Sequence, residues 1–131
     1  MPRKTLTKIR KANSFAKSYD PDSSFYRSHK WVTFRAELLR KQLPKDHKAA
    51  QHLHEQNKNI SGLDLLEYIE SGKPLCREYM SKGLIKPADV LDHINPIRQG
   101  GSVWDTTNLQ WLSHEAHNRK RQSEGKSSGN N

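Results

Sequence analysis

The sequence predicts an α+β fold in which helices pack around one short antiparallel hairpin. Two short apolar runs, Ala88 to His93 and Asn108 to Leu112, read as strands. The connection between them carries Gly100-Gly101, a pair that permits a turn with positive φ. Directly after the second run, Ser113 is a good N-cap for a helix from His114 to about Gln122. The basic end of that helix, Arg119, Lys120 and Arg121, suits the negative pole of its dipole. The order is strand, long loop, strand, helix.

The elements before the hairpin follow from spacing. Trp31, Phe34, Leu38 and Leu39 fall at i, i+3, i+7 and i+8, one apolar stripe on a helix from about His29 to Gln42 with Ser28 as N-cap. Lys30, Arg35, Arg40 and Lys41 lie off the stripe, and Pro44 is expected to stop the helix. Residues 45–61 are polar and read as a solvated helix or loop. Their histidines, His47, His52 and His54, lack the i, i+4 spacing and the acid cluster of a metal site. Asp64 is expected to cap a short helix from Leu65 to Glu70, closed by Gly72. Four segments result: a basic flexible arm at 1–24, a helical region at 25–73, a core at 74–121 and a flexible tail at 122–131.

Composition excludes several classes. Of 131 residues only 32% are hydrophobic, and with the 7 glycines the fraction stays near 37%, below the roughly 45–50% usual for globular domains. No run approaches the roughly 18 apolar residues of a membrane span, and the first twenty residues lack the apolar stretch of a secretory signal. The single cysteine, Cys76, excludes an internal disulfide and fits a reducing compartment, so the cytoplasm is expected. The formal charge of +9 is concentrated: residues 1–50 hold 13 Lys/Arg against 4 acids, and residues 51–131 hold 10 against 10. Such a run is either a solvated tail or an arm that neutralises phosphates with release of counterions.

The residues with chemistry lie at the hairpin. Asp92 and His93 are adjacent and face opposite ways on a regular strand; where the strand ends, both can turn toward the following helix and meet His117. A carboxylate and a neutral imidazole suit a divalent cation such as Mn²⁺ or Mg²⁺, with positions left for water and a phosphate oxygen. A second imidazole is then available to accept a proton from water.

The run DHINPIRQGG, then NLQ, then HNRK resembles the HNH nuclease motif. The surrounding PLCREY, PADVLDH and GGSVWDTTNLQWLS resemble the small HNH endonucleases of bacteriophages. The similarity covers residues 74–121, with a weaker likeness in FYRSHKW at 25–31. It implies a ββα-metal (His-Me finger) fold in which Asp92 and His117 bind one divalent metal ion, Mn²⁺ or Mg²⁺. His93 would be the general base. Asn108 would lock the loop between the strands through backbone hydrogen bonds and so orient His93, although in some relatives this position contacts the metal. His114, three residues before His117, is a second candidate for the metal or the scissile phosphate; the HNRK run favours His117. Arg98, Lys120 and Arg121 are candidate DNA contacts.

Many relatives carry a structural zinc on two Cys-x-x-Cys pairs. Here those positions read Cys76 and Tyr79, then Ser113 and Ala116, so a structural zinc is not expected. Packing by Tyr79, Met80, Leu84, Ile85, Leu91, Trp104, Leu109, Trp111 and Leu112 is expected to replace it. The implied function is a metal-dependent DNA endonuclease or nicking enzyme, acting as a monomer on DNA in a bacterial or phage-infected cell, with no membrane partner. The alternative is a non-catalytic DNA-binding or terminase-associated packaging protein on an HNH scaffold.

Overall fold

A computed structural model of the protein describes the backbone of residues 21–129 and the side chains of 24–124. The arm expected at 1–24 falls mostly outside the described residues; its end belongs to helix α1, Pro21–Tyr26, with Pro21 at the first helical position. The chain divides into two compact units, 1–36 and 37–131, and the division falls within helix α2, His29–Gln56.

In the first unit Trp31 is buried, with ring centroids 5.2 Å from Phe25, 5.3 Å from Tyr26 and 5.6 Å from Phe34. Ser28 caps α2 by accepting the Trp31 N–H at 3.2 Å.

Pro44 does not end α2; the helix continues twelve residues beyond it to Gln56. A proline inside a helix removes the hydrogen bond to the carbonyl four residues earlier. Here that carbonyl belongs to Arg40, and Arg40 and Pro44 are both exposed, where water can serve in its place. The second half of the helix is retained by contacts that local sequence does not reveal. Asp46 is buried and accepts the Leu75 N–H at 2.8 Å and Gln42 Nε2 at 2.8 Å. Ala50 is fully buried in a cluster with Tyr68 and Leu75. His54 Nδ1 donates to the Ile60 carbonyl at 2.8 Å.

Helix α3, Gly62–Glu70, begins earlier than expected because Ser61 is its cap: Ser61 Oγ accepts the Asp64 N–H at 3.0 Å and Asp64 Oδ2 accepts the Ser61 N–H at 3.1 Å. Asp64 is thus the acid of a capping box, three residues inside. A single turn, α4 (Arg77–Met80), precedes the hairpin.

Strand β1, Val90–His93, pairs antiparallel with β2, Leu109–Leu112, in the register Leu91↔Trp111, Asp92↔Gln110 and His93↔Leu109. Both strands are shorter than the apolar runs; Asn108 ends a 3₁₀ turn, Thr106–Asn108. Helix α5, His114–Gly129, packs on both strands and runs through most of the segment expected as a tail. Its start is heavily bonded. Ser113, 1% exposed, accepts the Ala116 N–H at 3.2 Å, and its own N–H meets Cys76 Sγ at 3.2 Å. Asp89 Oδ2 accepts the His114 N–H at 3.1 Å while Asp89 Oδ1 takes Lys73 Nζ at 2.8 Å.

These contacts place Cys76, Ser113 and Ala116 together, all buried. Of the apolar side chains expected to brace them, Leu91, Leu109, Trp111 and Leu112 are buried, whereas Leu84 is 41% exposed and contributes little. Tyr79 lies half-buried under cations, with Lys86 Nζ 5.1 Å and Arg119 Cζ 5.8 Å from its ring centre. No helix among the described residues is long and apolar enough to cross a membrane.

Replacing Ser113 by Ala removes the cap of α5 and should cost about 1–2 kcal/mol in urea unfolding. The Lys73 ammonium and the His114 N–H hold the Asp89 carboxyl below its usual range, against the opposing effect of burial. A depressed carboxylate stabilises the fold above its unfolded pKa, near 4, and loses that contribution as pH falls through its folded value. The stability gap between wild type and Asp89→Asn should therefore be constant at neutral pH and close in acid; a gap that widens below pH 4 contradicts the assignment.

Candidate active site

The site is organised by the loop between the strands. Asn108, at the mouth of the hairpin, makes three hydrogen bonds to backbone: Nδ2 donates to the Asn95 carbonyl (3.1 Å) and the Ser102 carbonyl (2.8 Å), and Oδ1 accepts the Asn95 N–H (2.9 Å). Its own carbonyl accepts the Ile94 N–H at 2.8 Å, extending the ladder one step past His93. The loop closes this tightly because of its glycines. Gly100 sits at φ +91°, and a Cβ on Gly101 would lie 1.7 Å from the Asn95 carbonyl oxygen, inside any possible contact.

The closed loop presents the Val103 carbonyl to His93. The His93 side chain is buried, and Nε2 lies 3.0 Å from that oxygen. A carbonyl only accepts, so Nε2 carries the hydrogen and Nδ1 the basic lone pair.

Asp92 points the other way, as alternation along a strand requires. Its carboxylate, 8% exposed, accepts Gln110 Nε2 on Oδ2 at 3.0 Å, from the residue opposite it in the register. From α5, His117 Nε2 approaches Oδ1 at 3.5 Å and Lys120 Nζ approaches Oδ2 at 3.3 Å. Asp92 and His117 therefore meet, while the His93 ring bonds the Val103 carbonyl of the loop. The His93 backbone carbonyl accepts Lys120 Nζ from α5 at 3.2 Å.

Burial pushes the His117 imidazole below its ordinary pKa, and the charges of Arg121 and Lys120 add to this against the pull of Asp92. At neutral pH His117 is thus uncharged, the form in which an imidazole ligates a metal. Two donors bound to one ion at about 2.1 Å sit roughly 3–3.5 Å apart, so the Asp92–His117 spacing fits a shared divalent cation. Among the described residues, no group of three or more His, Cys, Asp or Glu could hold a metal ion. An ion here would have two protein ligands.

Compared with protein-family models, with curated proteins and with solved structures, the chain matches none.

The other candidates are placed differently. His114 is exposed at the start of α5, where its backbone and its charge both act on Asp89 rather than Asp92. Arg98 is exposed on the 3₁₀ turn Ile97–Gln99 of the loop, and Arg121 is exposed on α5. Lys120 is turned inward, to Asp92 and Glu124. Gln110, Glu124 and the Val103 carbonyl join the site without belonging to any motif in the sequence. Two of them leave a trace there: Gln110 is paired with Asp92 once the hairpin register is set, and His117, Lys120 and Glu124 fall at i, i+3 and i+7 on one helix face.

Gly101→Ala should break the loop closure, and Asn108→Ala should cost about 1–3 kcal/mol by deleting the three backbone bonds. In proton NMR both variants should alter the His93 ring resonances while leaving those of Tyr68, in the separate cluster with Ala50, in place. Unchanged His93 resonances would show that the loop does not hold the ring.

Proposed function

We propose that this chain is a divalent-metal-dependent DNA endonuclease of the HNH type, with β1, β2 and α5 as its ββα-metal core. The observation that carries the reading is the convergence of four chemically matched residues on one short hairpin and the helix after it. Asp92 and His117 approach each other as a ligand pair, His93 has its tautomer set by Val103, and Asn108 bonds the loop that supplies Val103.

In this reading Asp92 and His117 would hold the cation. When bound, the cation supplies positive charge that stabilises the phosphate and the departing oxygen. His93 accepts through Nδ1 the proton of the water that attacks phosphorus. The P–O3′ bond breaks, leaving a 5′-phosphate on one side and a 3′-hydroxyl, protonated from solvent, on the other. Asn108 acts by keeping the His93 ring oriented, and burial keeps His117 neutral and able to ligate.

Charge supports the nucleic-acid substrate. The basic excess lies within residues 1–50, whereas the half that contains the four residues is neutral. DNA affinity would then come mainly from phosphate contacts and fall steeply with salt.

The test is supercoiled plasmid incubated with the protein and Mn²⁺, Mg²⁺ or EDTA. Wild type should nick or cut with metal and not with EDTA. His93→Ala should lose roughly 10²–10⁴-fold in rate while retaining metal affinity by calorimetry, and His117→Ala should lose both. No cleavage by wild type with any metal ends the enzyme reading; full activity in His93→Ala removes the base assignment.

A further inference from the structure

Asp92 is a carboxylate with almost no exposure to water, and such a group needs compensating charge whether or not a metal is present. His117 Nε2 approaches only one oxygen, Oδ1, and only to 3.5 Å. Gln110 supplies a hydrogen bond and no charge. Positive charge comes from Lys120, whose ammonium lies 3.3 Å from Asp92 Oδ2 with its side chain only 21% exposed.

Lys120 is not committed to Asp92 alone. The same ammonium pairs with Glu124 one turn further along α5 and bonds the His93 carbonyl at 3.2 Å. It can therefore give up Asp92 and keep two partners. A cation shared by Asp92 and His117 would bring two positive charges to the oxygen pair that Nζ now faces, and like charges at that separation repel strongly in a site with little water. The lysine stem, with four rotatable carbons, makes a small withdrawal easy.

We propose that Lys120 is the resident counter-ion of Asp92 and withdraws toward Glu124 when a divalent cation binds to Asp92 and His117. The inference rests on the metal-site reading above and adds a competition to it. In the unloaded protein Lys120 keeps the buried carboxylate compensated; on loading it must be displaced, so it lowers apparent metal affinity and acts as a positioning residue.

The test uses the full chain with metal alone and no DNA. With ¹³Cε-labelled lysine, the Lys120 resonance, assigned by its loss in Lys120→Arg, should shift on titration with diamagnetic Mg²⁺ along the same isotherm as metal binding. Its ammonium protons should exchange faster in the loaded state. By calorimetry, Lys120→Met should bind Mn²⁺ more tightly, on the order of tenfold, and in EDTA it should melt lower than wild type, a deficit that Mn²⁺ removes. A Lys120 resonance that stays still at saturating Mg²⁺, or Mn²⁺ affinity no higher in Lys120→Met, overturns the proposal. If Lys120→Met does not fold, the wild-type and Lys120→Arg spectra decide. Displacement of Lys120 without plasmid cleavage would count against the nuclease reading alone; cleavage with an unmoved Lys120 would count against this proposal alone; absence of metal binding overturns both.

Discussion

Everything at the candidate site depends on the closure of one loop by Asn108. A two-stranded hairpin with strands of four residues is marginal by itself, and the loop joining them runs from Ile94 to Asn108. A loop of that length would ordinarily leave its carbonyls to water and its conformation undefined. Asn108 removes that freedom by serving as donor twice and acceptor once to backbone at the start and the middle of the loop. The closure fixes where the Val103 carbonyl lies, and that carbonyl fixes which nitrogen of His93 carries the proton. A single amide thus links the path of the chain to the tautomer of the His93 ring. Gly101 is the steric condition for this, because the Asn95 carbonyl occupies the space of a side chain there.

The second organising constraint is electrostatic. The strand alternation that brings the His93 ring to the loop brings the Asp92 carboxylate to α5, so two candidate side chains adjacent in sequence meet different partners. Asp92 is surrounded by one amide, one neutral imidazole and one ammonium. That combination suits a carboxylate that exchanges partners. Gln110 orients it from the opposing strand, and the other two groups approach from α5.

How much of this was legible in the sequence depends on the range of the interaction involved. Local signals read well: Ser28 caps α2, the strand–loop–strand–helix order is present, and Ser113 starts α5. The stop expected at Pro44 does not occur because the contacts that carry α2 past it are non-local; Asp46 meets Leu75 across 29 positions. The Ser61 cap was legible as a Ser-x-x-Asp box and was displaced by one of its own members, Asp64. At the site, side chains named for their chemistry could be found, while those defined by position could not. The Val103 carbonyl has no side-chain signature, and Lys120 reads as a surface cation until its helix face is assigned together with His117 and Glu124.

The core is braced at Cys76, Tyr79, Ser113 and Ala116 by means other than a thiolate cage. Cys76 Sγ accepts the Ser113 N–H, Ser113 Oγ accepts the Ala116 N–H, and Ala116 fills its space with a methyl group. On the outer side, Tyr79 lies beneath Lys86 and Arg119, which pair in turn with Glu115 and Glu78. Each bond is modest, about 0.5–1.5 kcal/mol for a buried neutral pair and less for the exposed ion pairs. All of them are intrinsic to the chain. Under the proposed nuclease reading, loss of cleavage in EDTA together with an unchanged far-UV spectrum in the same buffer would separate removal of the ion from unfolding.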